Sequence, residues 1–370
     1  MHILFAGGGT AGHINPALAV AGVIKEKHPD AKISYIGTAN KLEAKLVPAA
    51  GYDFYTIDVM GFQRKLTPKG IAHNVSAVTK AVTASLKVKG LLKKLNPDVV
   101  VGTGGYVSGP VLKQAQKMGF KTAIHEQNAF PGVTTKMLAA NADCVMLAFK
   151  EAEKYLNLKK QPVITGNPVR KALLSVERDF ARKKLGIGDK PLILSFGGSL
   201  GARAINEAVT ELIKWHNGNK EFYHIHATGK NGYNTMLNSL SGINLNPQIQ
   251  VKEYIYDMDL CMAAADLVIG RAGAITLSEI EACGKAAILI PSPYVAENHQ
   301  FHNAMTLKSV GAAELIEEKD LSGNKLIETV MKLCADKESL EKMSKNAKSK
   351  AIIDANERIY EQIMILYNKK

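Results

Sequence analysis

The fold is decided by a glycine-rich stretch in the second half of the chain and a shorter relative near its start: Gly197-Gly198-Ser199-Leu200-Gly201-Ala202-Arg203 and Gly8-Gly9-Thr10-Ala11-Gly12-His13. Each follows a short apolar segment typical of a strand and precedes an apolar-periodic segment typical of a helix. Such a turn places backbone N–H groups and the positive end of a helix dipole at one point, where an anion can bind. Two of them predict two nucleotide-type domains facing each other across a cleft.

Composition supports two domains and anionic partners. The chain has 370 residues, of which 46% are hydrophobic, enough for two α/β cores. Its formal charge of +13 fits nucleic acid, acidic lipid or phosphorylated substrates, and equally a plain basic surface. The four cysteines contain no Cys-x-x-Cys pair, which argues against a disulfide framework or zinc site. Without a signal peptide or a membrane-spanning run, we expect a soluble or surface-attached protein.

Strands alternate with helices along both halves, which predicts parallel sheets with right-handed crossovers. Asn15-Pro16 is interpreted as the start of the first helix, with asparagine as its N-cap. Two further glycine turns occur, within 102–105 and 270–273. A polar cluster, His125-Glu126-Gln127-Asn128, follows a predicted strand, and ligands bind at the carboxyl ends of strands in such sheets.

The segment Gly61–Leu95 interleaves lysines and arginine with valines and leucines. A basic amphipathic segment can rest on an anionic membrane surface. It can equally be a crossover helix that covers the sheet and exposes a lysine face.

Several ligand chemistries are disfavoured. Gly7-x-Gly9-x-x-Gly12 matches the dinucleotide fingerprint, but the second strand ends in Gly37-Thr38-Ala39-Asn40 rather than in an acid for a ribose. No Gly-Lys-Ser/Thr follows any glycine turn, so a P-loop is not expected. Asp257 and Asp259 form either a metal-binding pair or, as we favour, helix-capping carboxylates. His13 either caps its helix or supplies an imidazole for catalysis.

Six motifs in order carry a family resemblance: Gly-Gly-Gly-Thr-Ala-Gly-His at 7–13, Gly-Thr-Gly-Gly-Tyr at 102–106, His-Glu-Gln-Asn at 125–128, Gly-Asn-Pro-Val-Arg at 166–170, Gly-Gly-Ser-Leu-Gly-Ala-Arg at 197–203 and Arg-Ala-Gly-Ala-Ile-Thr-Leu-Ser-Glu at 271–279. Together they resemble the MurG family, the N-acetylglucosaminyltransferases that convert lipid I to lipid II in peptidoglycan synthesis. The resemblance implies an α/β chain with a GT-B fold, in which two Rossmann-like domains with parallel sheets face each other across a cleft. It implies an acceptor and membrane-facing domain over 1–166, joined by a final helix at about 345–370, and a donor domain over 167–344.

The resemblance also implies partners and location. The donor is UDP-N-acetylglucosamine, the acceptor is lipid I, and no cofactor, metal ion or nucleic acid takes part. The protein would attach peripherally to the anionic cytoplasmic leaflet of a bacterial membrane, through the basic 61–95 segment, and work beside other cell-wall synthesis proteins in cell-wall biogenesis, cell shape and division.

Carried over by motif position, the resemblance implies roles for single residues. His13 is the expected general base, with Glu126 second. Acceptor-side contacts are expected from Gly104, Gly105 and Tyr106. Donor contacts are expected from Thr10, Ala11, Gly12, Asn128, Arg170, Ser199, Ile255, Gly273, Ala274, Ile275, Thr276, Leu277, Ser278, Glu279 and Gln300. In that set Arg170 and Ser199 would face the diphosphate, Glu279 the ribose and Gln300 the sugar. Ala11, where the family usually has glycine, and His299, where some members have glutamine, depart from the pattern.

Two other functions use similar features. A UDP-N-acetylglucosamine 2-epimerase binds the same donor between two Rossmann-like domains but needs no lipid acceptor. A nucleotide-sugar sensor with an inactive acceptor site would keep donor affinity when His13 is replaced.

Overall fold

The computed structural model describes residues 1–60 and 68–369, with the backbone alone given for 68–79 and for 81 and 82. The first residues of the predicted basic segment, 61–67, lie outside this description. The chain forms two compact units. Unit 1 comprises Met1–Pro168 and Asp354–Lys370, and unit 2 comprises Val169–Ile353.

Unit 1 is built on a seven-stranded parallel sheet in the order β3-β2-β1-β4-β5-β6-β7. Its elements are β1 (His2–Ala6), α1 (Ala11–Lys27), β2 (Lys32–Gly37), α2 (Glu43–Ala49), β3 (Asp53–Thr56), α3 (Pro68–Leu95), β4 (Val99–Gly102), α4 (Gly105–Lys117), β5 (Lys121–Glu126), α5 (Val133–Leu138), β6 (Cys144–Leu147) and β7 (Val163–Ile164). In register, Ile3 of β1 faces Val99 of β4 and Ile33 of β2. Helices cover both faces, so the central strands are continuous apolar runs rather than alternating ones.

Unit 2 repeats the plan with six parallel strands in the order β10-β9-β8-β11-β12-β13. Its elements are α6 (Arg178–Leu185), β8 (Leu192–Phe196), α7 (Arg203–Asn219), β9 (Tyr223–Ala227), α8 (Tyr233–Ser239), β10 (Ile249–Lys252), α9 (Met258–Ala264), β11 (Leu267–Gly270), α10 (Ala274–Cys283), β12 (Ala286–Leu289), α11 (His299–Lys308), β13 (Ala313–Leu315), α12 (Gly323–Ala335) and α13 (Lys337–Ser349). The predicted parallel α/β architecture is confirmed in both units.

The last helix, α14 (Ala355–Asn368), belongs to unit 1, where it packs on α1. Lys27 bonds Glu357 at 2.5 Å and His28 Nε2 lies 2.8 Å from the Tyr360 hydroxyl. Ile363 is fully buried in the same core cluster as Ile3 of β1. The final helix therefore completes the core of the first unit.

The interpretation of Asn15-Pro16 as a helix start is wrong. Helix α1 begins at Ala11, with Thr10 as the extended N-cap residue and Pro16 inside the helix. Proline there removes the donor to the carbonyl of Gly12. As a consequence, His13 lies in the first turn of α1, beside the glycine turn.

Two further findings bear on binding. Over residues 1–60 and 68–369, no helix is both long and apolar enough to cross a membrane. Where side chains are described, no three His, Cys, Asp or Glu side chains cluster as metal ligands would. Asp257 is the N-cap residue of α9 without a side-chain capping bond, and its carboxylate lies 3.8 Å from Lys252 Nζ.

Candidate functional site

The strand order places a topological switch point in each unit. In unit 1, β1 and β4 are neighbours, and the chain leaves their carboxyl ends through the glycine turns at 7–12 and 102–105. In unit 2, β8 and β11 are neighbours, followed by the turns at 197–201 and 270–273. Ligands of open α/β sheets bind outside the strand ends at such points. All four glycine turns thus lie at the ligand-binding edge of their own sheet.

In unit 1, the His13 ring lies against the turn that follows β4. A β carbon added at Gly104 would lie 2.6 Å from His13 Cδ2, and one at Gly105 would lie 2.3 Å from the Gly8 carbonyl oxygen. Gly105 also has a φ of +76°, which a side chain would strain. The predicted acceptor-side turn and the predicted base are therefore brought together, and only glycine permits this approach.

The orientation of His13 is set by its Nδ1 atom. Nδ1 lies 3.0 Å from the carbonyl oxygen of Gly8 and 3.2 Å from the Thr10 hydroxyl. A carbonyl can only accept, so Nδ1 carries the proton in this bond. The neutral ring then has its lone pair on Nε2, which is the form of imidazole that can accept a proton. Tyr106 completes the turn, with Cε1 3.5 Å from a β carbon added at Gly9.

The His-Glu-Gln-Asn cluster is chiefly a scaffold. His125 is 1% exposed, its Nε2 donates to the Gly166 carbonyl at 3.0 Å, and its Nδ1 accepts from Gln127 at 3.0 Å. Burial lowers the pKa of His125, which keeps it neutral. Asn167 in turn donates to the Gln127 carbonyl at 3.1 Å. These bonds dock the Gly-Asn-Pro motif onto the end of β5.

The second predicted base, Glu126, is 4% exposed and its carboxylate is already occupied by donors. Oε1 accepts from the backbone N–H and side-chain amide of Asn128 at 3.0 and 3.1 Å. Oε2 accepts from the Gly132 N–H at 3.1 Å and from the Thr135 hydroxyl at 2.5 Å. A carboxylate with four donors shapes its loop, and it fixes Asn128 at the end of β5.

In unit 2, the turn after β8 borders a cavity of about 610 Å³. Gly197, Gly201 and Arg203 line one side, where α7 begins, and Gln300 lines another. The first N–H groups of the 17-residue helix α7 lack partners within the helix and carry its positive dipole end. Gly201 has a φ of +83°, and a β carbon there would lie 2.0 Å from the Thr228 carbonyl oxygen. The cavity is suited to a phosphorylated ligand.

Gln300 and the loop before it are held in a defined conformation. Its Oε1 accepts from the Ser292 N–H at 2.9 Å, which leaves its amide N–H₂ as the donor toward a ligand. Glu297 and Asn298, just upstream, have φ values of +55° and +49°. Left-handed backbone is uncommon at non-glycine residues and is enriched at ligand-binding sites.

Arg170 and Glu279, predicted to face different parts of the donor, bond each other. Arg170 Nε donates to Glu279 Oε1 at 2.9 Å, with side-chain exposures of 58% and 14%. Burial raises the pKa of Glu279, and Arg170 partly opposes that shift. Arg170 uses Nε in this pair, so its terminal N–H groups are not part of the bond to Glu279.

The remaining predicted donor residues have distinct placements. Gly273 is the N-cap of α10, and Ala274 to Ser278 form its first turns, with Leu277 fully buried in the core. Ile255 is 3% exposed between β10 and α9, and Ser199 is exposed in the glycine turn. Of the predicted donor residues in the described part of unit 2, Gln300 lines the 610 Å³ cavity, and Arg170, Ser199, Ile255, Glu279 and residues 273–278 do not. In unit 1, Thr10, Ala11 and Gly12 lie at the N-terminus of α1.

Four charged residues that line the cavity had no role predicted from the sequence, and they form two ion pairs, Arg203 with Glu207 and Arg271 with Glu318. Arg271 and Glu318 have side-chain exposures of 16% and 15%. Arg271 also donates to the Ile290 carbonyl at 3.1 Å, which ties the ends of β11 and β12 together. The position of Arg271 directly after β11 was a usable signal. Glu318 is distant in sequence and gave none.

Comparisons with known proteins agree with the fold. The glycosyltransferase family 28 N-terminal domain matches residues 3–147, and the C-terminal domain of that family matches residues 192–359. A protein of Acetivibrio thermocellus named UDP-N-acetylglucosamine–N-acetylmuramyl-(pentapeptide) pyrophosphoryl-undecaprenol N-acetylglucosamine transferase is 48% identical, covering 100% of this chain and 99% of its own. A protein of the same name from Clostridioides difficile is 43% identical, covering 100% and 90%.

Among solved structures, MurG of Acinetobacter baumannii is similar with a TM-score of 0.81 and 30% identity, over 98% of this chain and 99% of that one. A UDP-GlcNAc 2-epimerase from Neisseria meningitidis has a TM-score of 0.64 at 14% identity, over 98% of this chain and 100% of its own. At that identity the likeness concerns the fold alone.

Proposed function

The chain belongs to glycosyltransferase family 28, and on that premise we propose that it transfers N-acetylglucosamine from UDP-N-acetylglucosamine to the 4-hydroxyl of the muramoyl sugar of lipid I, giving lipid II. The full-length relatives bearing the name of this transferase, at 40–48% identity, support this assignment over the epimerase. One structural observation carries the chemistry. A histidine with its Nδ1 proton directed to a backbone carbonyl lies at the strand-end edge, in the first turn of α1 beside the glycine turn.

In the proposed reaction, His13 Nε2 takes the proton of the acceptor 4-hydroxyl as its oxygen attacks the anomeric carbon. General-base catalysis contributes about 10²–10⁴-fold. We assign this role to His13 rather than Glu126, because the Glu126 carboxylate already accepts four hydrogen bonds. Direct displacement of UDP inverts the anomeric configuration.

The leaving diphosphate gains negative charge as the bond breaks. We propose that the N-terminus of α7, at the Gly197–Gly201 turn with Ser199, and Arg170 stabilise that charge. Glu279 would accept hydrogen bonds from the ribose hydroxyls, with Ile255 and residues 273–278 around the uracil and phosphate. Gln300 would donate to the sugar. Thr10, Ala11, Gly12 and Asn128 of unit 1 are proposed to contact the same sugar, and Gly104, Gly105 and Tyr106 the acceptor.

The test is release of UDP from UDP-N-acetylglucosamine with and without a short-chain lipid I analogue, in buffer containing a chelator. Acceptor-dependent UDP release coupled to disaccharide formation is the expected result, and His13→Gln serves as the matched inactive variant. Epimerised sugar without acceptor would instead identify an epimerase. Donor binding without turnover, unaffected by His13→Gln, would identify a sensor.

We infer further that unit 1 docks on the anionic cytoplasmic leaflet as a peripheral protein. Helix α3 exposes Lys87, Lys89, Lys93 and Lys94 together with Leu86, which is 68% exposed. Val133 and Met137 of α5 are 64% and 52% exposed. Helices α3 and α5 both pack on α4, so apolar and basic side chains occur on neighbouring helices. Such docking would bring the enzyme to lipid I and to other cell-wall synthesis proteins that serve cell shape and division.

A further inference from the structure

A buried carboxylate lies directly behind the first glycine turn. Glu43, in the first turn of α2, is fully buried. Its Oε2 accepts from the Gly9 N–H at 3.1 Å, and its Oε1 accepts from the N–H and hydroxyl of Thr38 at 3.1 and 2.7 Å. Three donors offset the cost of burying this charge. A carboxylate of the chain itself therefore accepts the Gly9 N–H of the first glycine turn.

The same carboxylate is in close contact with the residue that orients His13. A β carbon added at Gly8 would lie 2.4 Å from Glu43 Oε1, so the Gly8 backbone packs directly against the carboxylate with no room for a side chain. The Gly8 carbonyl, in turn, accepts from His13 Nδ1 at 3.0 Å. Gly8 is thus held between Glu43 and His13. Moving the carboxylate would allow the turn, and with it the Gly8 carbonyl, to shift.

We propose that Glu43 is a positioning residue, which holds the first glycine turn through the Gly9 N–H and through Gly8 fixes His13 with its proton on Nδ1. The proposal rests on the proposed role of His13 as the base. It assigns different tasks to the two similar glycine turns. The turn of unit 1 is held from behind by a buried carboxylate and orients a side chain, while the turn of unit 2 borders a cavity that we propose for a phosphorylated ligand.

The direct test uses Glu43→Gln. Both Glu43 oxygens accept hydrogen bonds from backbone N–H groups, those of Gly9 and Thr38. The side-chain N–H₂ of the glutamine must therefore face one of these donors, and a hydrogen bond that fixes the turn is lost. In nitrogen-15 histidine-labelled full-length protein at a pH where His13 is neutral, the wild type shows His13 protonated at Nδ1. The His13 signal is identified by its loss in His13→Gln. In Glu43→Gln we expect a mixture of Nδ1–H and Nε2–H forms.

Kinetics supply a second readout. In Glu43→Gln, kcat with the lipid I analogue falls at least about tenfold, a part of the general-base contribution. The acidic limb of the kcat–pH profile of Glu43→Gln shifts relative to that of the wild type, while the KM for the donor stays within about twofold of the wild-type value. Asp98→Asn is the matched control, because Asp98 also accepts a backbone N–H, from His2 at 2.7 Å, but at the amino end of β1. It leaves the His13 tautomer and the pH profile unchanged.

Thr38→Val is the second variant, needed if Glu43→Gln does not fold. It removes the 2.7 Å bond to Glu43 Oε1 but keeps the charge, so we expect a smaller tautomer change in the same direction. An unchanged Nδ1–H form of His13 in the folded variants would overturn the proposal. The NMR result does not depend on turnover. If the wild type transfers no sugar, the proposed function fails while the Glu43–His13 link is judged separately.

Discussion

Replacing His216 by phenylalanine is expected to make unit 2 less sensitive to acid. His216, on the inner face of α7, is fully buried, and its ring stacks on Phe222 with centroids 3.9 Å apart and planes 9° from parallel. Burial lowers its pKa to about 4, against about 6.5 in an unfolded chain. As the pH falls below 6.5, the unfolded state therefore binds a proton that the folded state does not, and stability is lost.

The size of the effect follows from these two pKa values. At about pH 5, proton binding to the imidazole of the unfolded chain lowers the free energy of unfolding by about 2 kcal/mol. That is a large part of a typical free energy of unfolding of about 5–15 kcal/mol. Phenylalanine keeps the ring stack and removes the titration. The stability difference between His216→Phe and the wild type should therefore grow by about 2 kcal/mol from pH 7.5 to pH 5.

Urea unfolding followed by Trp215 emission is a suitable assay. Trp215 is the single tryptophan of the chain, lies on α7 and packs against the core of unit 2, so it reports this unit. His216→Gln is the control for chemistry, since it also removes the titration but loses the aromatic stack. If both variants follow the wild-type pH dependence within about 0.5 kcal/mol, His216 does not titrate as we infer.

Three other predictions concern the site and the membrane. Glu279→Gln should raise the donor KM about 10- to 100-fold with a smaller effect on kcat, because it weakens charge-assisted bonds to the ribose. A KM within about twofold of wild type in steady-state assays would contradict that role. Gly201→Ala should destabilise unit 2 by at least about 2 kcal/mol in the Trp215 assay, because its β carbon meets the Thr228 carbonyl. Gly198→Ala, at a φ of +94° but with open space around it, should cost less, and equal costs would refute the steric explanation. Charge reversal of four exposed lysines of α3 should weaken binding to anionic vesicles by about 1 kcal/mol or more per residue; these are Lys87, Lys89, Lys93 and Lys94. The same change at four exposed lysines of unit 2 should leave vesicle binding unchanged; these are Lys325, Lys332, Lys342 and Lys345. Equal losses in the two variants would show that α3 is not a specific membrane-binding face.

The sequence predicted those parts of the fold that depend on local pattern. The strands β6 (Cys144–Leu147) and β8 (Leu192–Phe196) coincide with short, mostly apolar segments that have clear boundaries in the sequence. The edge strands β7 (Val163–Ile164) and β13 (Ala313–Leu315) were missed, since two or three residues carry no period. The first helix was started too late because Asn15-Pro16 resembles an N-cap pair, while the glycine turn before it already sets the helix direction.

In the site, contacts between residues that are far apart in the sequence could not be predicted. The dinucleotide fingerprint requires an acid at the end of β2, and none is present there. The relevant acid is Glu43, six residues beyond Gly37, and it contacts the glycine turn rather than a ribose. The mutual bond of Arg170 and Glu279, 109 positions apart, likewise has no local signal. Residue types near the strand ends indicate a site, but which of them bond each other is decided by the packing.

The return of α14 to unit 1 has a consequence for how the protein is made. Ile359 and Ile363, 2% and 0% exposed, complete a core that begins with β1, yet the ribosome adds them after the whole of unit 2. During synthesis, unit 2 can close on itself as soon as it emerges, while unit 1 keeps an apolar groove beside α1 open until α14 arrives. The nascent first half is therefore the part of the chain exposed to aggregation and to chaperones, although it is translated first.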